Sequence, residues 1–203
     1  MEETIFENAE RLFFEKGFAL TSTVEIAQAS GCNQALVHYY FRTKENLFNT
    51  IFEKKFKQFF QYTFDLYTQT EFTFAEKLEN LIRSHFNLIV KMPRLPYLII
   101  SEFTRAPERL KALREKLGDS LGQMFLALEK ELQAEVEAGR VRPISAFDLL
   151  ISIVSLNITL FVLLPIGTQL LDLDEQKVQQ LLEHRREEHV SFVLNSILIQ
   201  KAP

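Results

Sequence analysis

The side chains best suited to chemistry on an external partner cluster between Thr21 and Lys44, TSTVEIAQASGCNQALVHYYFRTK. Gln34, Ala35, His38 and Tyr39 or Tyr40 are left outward on a two-turn stretch in which Leu36 and Val37, with Phe41 just beyond, are the apolar anchors. A glutamine amide can donate to and accept from one adenine, and alanine is small enough to let a helix approach a thymine methyl. Thr, Tyr and Lys suit phosphate oxygens. This is chemistry of recognition, and turnover finds no comparable cluster. Cys32 is the sole cysteine, which excludes an internal disulfide and a multi-cysteine metal site; it reads as a small buried hydrophobe. No Glu-x-x-His occurs, against a di-iron helix bundle. His184 and Glu188 stand one turn apart in the charged run HRREEH, a solvated face. Serines near histidines lie only in helical stretches, without a nucleophile elbow. No enzyme activity, metal or cofactor is expected.

Short helices must position the reading residues. Ser22-Thr23-Val24-Glu25 fits a capping box that opens a helix at Ser22 or Thr23, with Val24, Ile26 and Ala27 as its apolar positions. Gly31 permits the left-handed turn that ends it, and Asn33 can cap a second helix, Gln34 to Tyr40. Upstream, Ile5, Ala9, Leu12 and Phe13 recur at helical period over Glu2 to Lys16, and Gly17 sits where the helix should stop. Thr43 opens a fourth helix rich in phenylalanine. Helix, glycine turn and second helix with exposed hydrogen-bonding side chains is the DNA-reading helix-turn-helix pattern.

GFALTSTVEIAQASGCNQALVHYYFRTKENLF resembles the N-terminal domain of the TetR/AcrR transcriptional regulators. The features that match are the aromatic-Gly-Phe exit from helix one, the Thr-Ser start of helix two, Ile26-Ala27, Ala29, Gly31, the run Tyr39-Tyr40-Phe41 and Thr43-Lys44-Glu45. The resemblance is strong over about residues 2–52 and architectural beyond. It implies that Gln34, Ala35 and His38 face base edges, and that Thr23, Tyr39, Tyr40 and Lys44 touch the sugar–phosphate backbone. His38 stands where the family usually has tyrosine, and Cys32 where it has an aliphatic residue. The resemblance further implies a cytoplasmic homodimer, most often a repressor, bound to a double-stranded, near-palindromic operator and released by a small-molecule effector.

Composition agrees with a helical protein. Six Gly and six Pro in 203 residues are too few for turn-rich β structure, and 47% hydrophobic residues supply ample core. The fold expected is all-α, about nine helices, with a helix-turn-helix head at 1–50 and a larger effector-binding and dimerisation body at 51–203. Net charge is −4, and residues 1–50 carry seven Glu against Arg11, Lys16, Arg42 and Lys44; only Arg42, Lys44, Lys54, Lys55 and Lys57 form a local basic group. The motif, not charge, carries the DNA inference.

In the body, helices are expected at Phe74–Lys91, Tyr97–Arg105, Pro107–Ala138, Ile144–Pro165 and Asp174–Gln200. Nineteen Phe and no Trp suggest an apolar cavity walled by Phe60, Phe86, Phe103, Met124 and Phe161, with His85, Glu102 and Asn157 as polar contacts. Glu102 and Arg105, three apart, read as an ion pair. Leu149 to Ile166 runs eighteen residues without a charge, long enough to span a membrane. Asn157, the closing Pro165 and the small stripe Ser152, Ser155, Thr159 favour a helix buried against a second subunit over membrane insertion. Val178, Leu182, Val190, Val193 and Ile197 of the last helix point to the same seam. The alternative function is a helical interaction or membrane-associated module that does not bind DNA.

Overall fold

The computed structural model describes residues 1–68, 71–105 and 120–199 with isolated positions 108, 111 and 115, leaving out the side chains at 56, 58–68, 98, 101–103, 105, 120 and 121. Nine helices are described: α1 (Glu2–Leu20), α2 (Thr23–Ala29), α3 (Gln34–Phe41), α4 (Lys44–Thr68), α5 (Phe74–Lys91), α6 (Leu95–Arg105), α7 (Ser120–Glu137), α8 (Ala146–Leu170) and α9 (Glu175–Ile197). The chain is all-α, and extended pairing among the described residues is limited to an isolated antiparallel bridge, Val141 with Leu198. Two compact units form. One is Met1–Phe59 with Arg94–Gly118, the other Phe60–Pro93 with Asp119–Pro203.

In the first unit the apolar period of α1 buries Ile5, Ala9, Leu12 and Phe13 against Ile26 and Ala27 of α2, Val37 and Phe41 of α3, and Leu47, Phe48, Ile51 and Phe52 of α4. Phe13, Phe18, Phe48 and Phe52 stack edge-to-face and offset, with centroids 5.0–6.0 Å apart. Each of the buried rings, Phe13, Phe48 and Phe52, contributes about 1.5–3 kcal/mol through burial. Gly17 breaks α1 as its position requires, at φ 81, with one further turn to Leu20. The carbonyls left by the break are met by the buried Thr21 hydroxyl, shared between Leu12 O at 3.1 Å and Gly17 O at 2.9 Å. Val24 departs from the expected pattern: it is exposed, because a seven-residue helix presents only one stripe and Ile26 and Ala27 occupy it.

The second unit is organised by α5, α7, α8 and α9. Phe74, Leu78 and Ile82 of α5, Leu128 and Leu132 of α7, Ala146, Leu149 and Ile153 of α8 and Val190, Val193 and Ile197 of α9 form one buried cluster. Thr73 caps α5 with a reciprocal Glu76 box, and Glu129 of α7 accepts from the Ala146 N–H that opens α8. Gly139, at φ 67, ends α7. The Arg140–Pro143 loop is then tied to the end of α9 by Arg142 N–H to Ile197 O and Ile199 N–H to Arg140 O, both 2.9 Å.

Three sequence expectations need correction here. Val190, Val193 and Ile197, expected at a seam between subunits, fill the core of their own unit. Pro165 does not end α8, which continues to Leu170; proline costs one internal N–H bond, and helical φ/ψ resume beyond it. The helix after the Met92–Pro96 corner begins at Leu95 rather than Tyr97, placing Pro96 in the first turn, where its missing N–H costs nothing. The Glu102–Arg105 pair lies outside the described residues, as does Pro107 at the expected start of the long helix.

α8 satisfies the length and hydropathy of a membrane span. Its buried stripe is Ala146, Leu149, Ile153, Asn157 and Phe161, and Phe147, Ile151, Val162, Leu163, Ile166 and Leu170 remain exposed around it.

Candidate nucleic-acid interface

The reading surface is built from local caps. Ser22 accepts from Glu25 N–H at 3.1 Å while Glu25 accepts from Ser22 N–H at 3.0 Å, which fixes the start of α2. The Lys16 ammonium at 2.7 Å, with the two Ser22 bonds, holds the Glu25 carboxyl down at about pKa 2. Gly31, at φ 65, turns the chain, and Asn33 Oδ1 accepts from Leu36 N–H at 3.0 Å to start α3. Val37 and Phe41 then anchor α3, leaving Gln34, Ala35, His38 and Tyr39 exposed and Tyr40 half-buried. Tyr39 and Tyr40 pack edge-to-face at 5.2 Å.

The exposed polar groups of this surface are connected. Gln34 Nε2 donates to Thr23 Oγ1 at 2.8 Å and lies 3.3 Å from His38 Nε2. His38 Nδ1 lies 3.0 Å from the Arg42 carbonyl. Arg42 has φ 64 and ψ −56, and Thr43 N–H donates back to Phe41 O at 2.7 Å. That is a γ-turn of the rare positive-φ kind, the sort of strain that collects at functional sites.

Lys44 occupies a second structural position that its spacing did not disclose. Its Nζ donates to Phe18 O at 2.9 Å and Thr21 O at 3.0 Å, and lies 4.3 Å from the Phe18 ring centroid. It therefore caps the last turn of α1 while standing at the first position of α4. The local basic group is smaller than its sequence suggests. Lys55 pairs with Glu10 at 2.7 Å and Lys54 with Glu3 at 3.6 Å, so α1 carboxylates offset two of its five cations. Arg42 and Lys57 are exposed.

In the second unit the expected effector residues are placed unevenly. Phe86 and Phe161 are buried and meet edge-to-face at 5.3 Å; Met124 is half-buried on α7. The side chains of Phe60, Glu102 and Phe103 lie outside the described residues. His85 and Asn157 belong to one buried polar chain. Asn157, fully buried, donates from Nδ2 to Ile82 O at 3.3 Å and to His85 Nδ1 at 2.9 Å, and accepts at Oδ1 from His189 Nδ1–H at 2.7 Å. Arg185 Nη2 donates to His189 Nε2 at 2.8 Å. This bonding needs both imidazoles neutral, and burial pushes both down to about pKa 4, the Arg185 charge adding to the effect on His189. Sequence reasoning missed His189; the spacing His189–Val193–Ile197 was the available signal, hidden by the charged run beside it.

Two clefts flank this chain within the unit. One, of about 530 Å³, is lined mainly by Leu156, Leu160, Leu163, Leu164 and Leu181, with Arg185 as its cation. The other, of about 490 Å³, lies between α5 and α9 and includes Phe86, Asn87, Leu182 and Arg186. Among the described residues no group of three His, Cys, Asp or Glu could hold a metal ion.

Comparison with known proteins fits this surface. The profile of the bacterial regulatory proteins, tetR family, matches residues 5–51. The fatty acid metabolism regulator protein of Bacillus subtilis (strain 168) is 24% identical over 138 residues, covering 68% of this chain and 69% of that protein. The ketosteroid transcriptional regulator KstR2 of Mycobacterium tuberculosis superimposes at TM-score 0.72 over 98% of this chain and 95% of its own, at 17% identity. The fatty acid degradation regulator FadR from Bacillus halodurans does so at TM-score 0.62 over 93% and 94%, at 16% identity. The matched head, with its capped helices and outward α3 side chains, is a helix-turn-helix domain of the tetR-family type, and it stands on a fold shared over nearly the whole length with solved transcriptional regulators.

Proposed function

We propose that the chain is a cytoplasmic repressor that binds a near-palindromic operator as a homodimer and leaves it when an apolar or amphipathic effector occupies the body. Residues 1–50 read the DNA. Gln34 and Ala35 meet base edges with His38 beside them on the same face of α3, and Thr23, Tyr39, Tyr40 and Lys44 hold the sugar–phosphate backbone. The observation that carries this reading is the outward set on α3, supported on both sides by caps, in a segment matching the tetR-family profile. Two α3 helices about 34 Å apart would enter successive major grooves.

The dimer is assigned to α8 and α9. Ser152, Ser155 and Thr159 are exposed along α8 beside the exposed apolar side chains Ile151, Leu163 and Ile166, a face of the kind that a partner helix covers. For the effector, two of the regulators compared are named for fatty acid metabolism or degradation, and the body is rich in apolar lining. A long-chain acyl compound is therefore the first class to test, with Phe86, Met124 and Phe161 as apolar contacts and His85 and Asn157 as polar ones. Binding would favour a state in which the two heads no longer match the operator spacing.

The experiment is retardation of the protein's own promoter fragment across a salt series, with and without an acyl ligand. Wild type should retard the fragment with strong salt dependence and release it on ligand addition. Lys44→Ala should weaken binding on every sequence and lower the salt slope by ~1. Salt-insensitive retardation, or none, would refute the reading.

A further inference from the structure

Resting on the DNA-reading function proposed above, we propose that His38 is a positioning residue: it locks the Gln34 carboxamide with its oxygen outward, so that α3 reads an amino group on the base edge in place of a bidentate adenine.

The orientation follows from which atoms can carry protons. The Arg42 carbonyl has none to give, so His38 Nδ1, 3.0 Å away, must carry the hydrogen. In the neutral ring Nε2 is then a lone pair that can only accept. The group of Gln34 facing it at 3.3 Å must be the amide N–H. The other N–H of the same amide goes to Thr23 Oγ1 at 2.8 Å. Both donors of Gln34 are thus spent inside the protein, and Oε1 is the atom left to face a partner. Thr23, having accepted, keeps its own O–H proton for a phosphate.

A bidentate bond to adenine needs an amide N–H on N7 together with the oxygen on the N6 amino group. With the N–H groups spent, the acceptor half remains. An acceptor alone suits the N6 amino group of adenine and the N4 amino group of cytosine, and it opposes the O6 of guanine and O4 of thymine. The lock is anchored in the backbone, because the carbonyl that sets the His38 tautomer belongs to the positive-φ turn at Arg42 between α3 and α4.

The test separates the two ring nitrogens. His38→Asn keeps an amide N–H that can reach the Arg42 carbonyl in place of Nδ1–H, but its amide oxygen then takes the place of the ring carbon Cδ2 and leaves no acceptor at the position of Nε2. His38→Gln places an amide oxygen near the position of Nε2 and restores the acceptor. First, ring-nitrogen NMR on the free protein should show the Nδ1–H tautomer of His38. Second, each protein selects from a randomised double-stranded library. The base pair read by Gln34 is the one whose preference disappears in Gln34→Ala. There, wild type and His38→Gln should accept adenine and cytosine within about threefold of each other, and His38→Asn should favour adenine by about tenfold or more. An Nε2–H tautomer in the free protein overturns the lock. So does a wild type already favouring adenine by tenfold, or His38→Asn with the wild-type profile. A protein that retains no duplex from the library at low salt overturns the DNA-reading function itself, and this inference with it.

Discussion

Asn157→Ala removes the centre of the polar chain between α5, α8 and α9. The side chain is fully buried and serves three partners, Ile82 O, His85 and His189. The alanine variant leaves His189 Nδ1–H without its acceptor and takes one donor from His85 Nδ1. Each buried polar group so orphaned costs about 1–3 kcal/mol, and the void adds a smaller amount. The expected loss is about 3–5 kcal/mol, a large share of the ~5–15 kcal/mol that stabilises a typical domain. With no tryptophan in the chain, far-UV circular dichroism in urea at pH 7.5 is the assay. Asn195→Ala, on the exposed side of α9, is the control and should stay within about 0.5 kcal/mol of wild type. A cycle with His189→Phe should be non-additive by at least ~0.5–1 kcal/mol, because the two side chains share one bond. A loss under ~1 kcal/mol for Asn157→Ala, or an additive cycle, would refute the claim that this chain holds the body together.

Two further outcomes concern the body. His85 and His189 are held near pKa 4 against an ordinary 6.5, so the unfolded chain binds more protons between these values. Stability should be level above pH 7 and fall as pH drops from about 6.5 to 4, by up to ~3 kcal/mol for one fully desolvated imidazole; a melting temperature flat across that window would contradict the neutral pair. Ser155→Arg should give monomers or aggregates and a collapse of operator affinity, since it would set two charges in the seam assigned to α8, at a cost of several kcal/mol. Sedimentation of this variant as a dimer with full affinity would remove that assignment.

The head was legible because its determinants are local. A capping box, a glycine at φ 65 and an asparagine cap each act over three or four residues, so Ser22–Glu25, Gly31 and Asn33 could be read directly. What escaped notice was long-range or geometric. Lys44 reaches carbonyls 26 and 23 residues earlier, and no spacing rule announces that. His38 and Gln34 were legible as exposed polar residues one turn apart, but the bond between them depends on where Arg42 turns its carbonyl. In the body, periodicity located Asn157 and His85 on apolar faces but could not say that they meet, because 72 residues separate them. The C-terminal helix misled for a different reason. An apolar stripe at spacings three and four is the same whether a chain's own core or a second copy covers it, and Val190, Val193 and Ile197 proved to be core.

An acidic head can read a polyanion if its carboxylates are kept away from the reading surface. From Ile26 to Lys44 the sequence contains no Asp or Glu, and it does contain Arg42 and Lys44. The acidic residues lie mostly on α1, where Glu10 and Glu3 face Lys55 and Lys54 and Glu15 pairs with Arg11 at 3.1 Å. Glu25, at the start of α2, is taken up by Lys16 and Ser22. Surface pairs of this kind contribute little to stability, but they do confine the negative charge. Beyond a Debye length of about 8–10 Å the remainder is screened, so the field at a phosphate beside α3 is set by the few nearest groups rather than by the net charge. With only two cations on that stretch, the proposed docking draws the rest of its attraction from neutral donors: the Thr23 hydroxyl, the Tyr39 and Tyr40 phenols and the backbone N–H groups at the start of α3. Such contacts are short-ranged and depend on orientation, which is why the caps and the Gln34–His38 bond matter more here than in a strongly basic head.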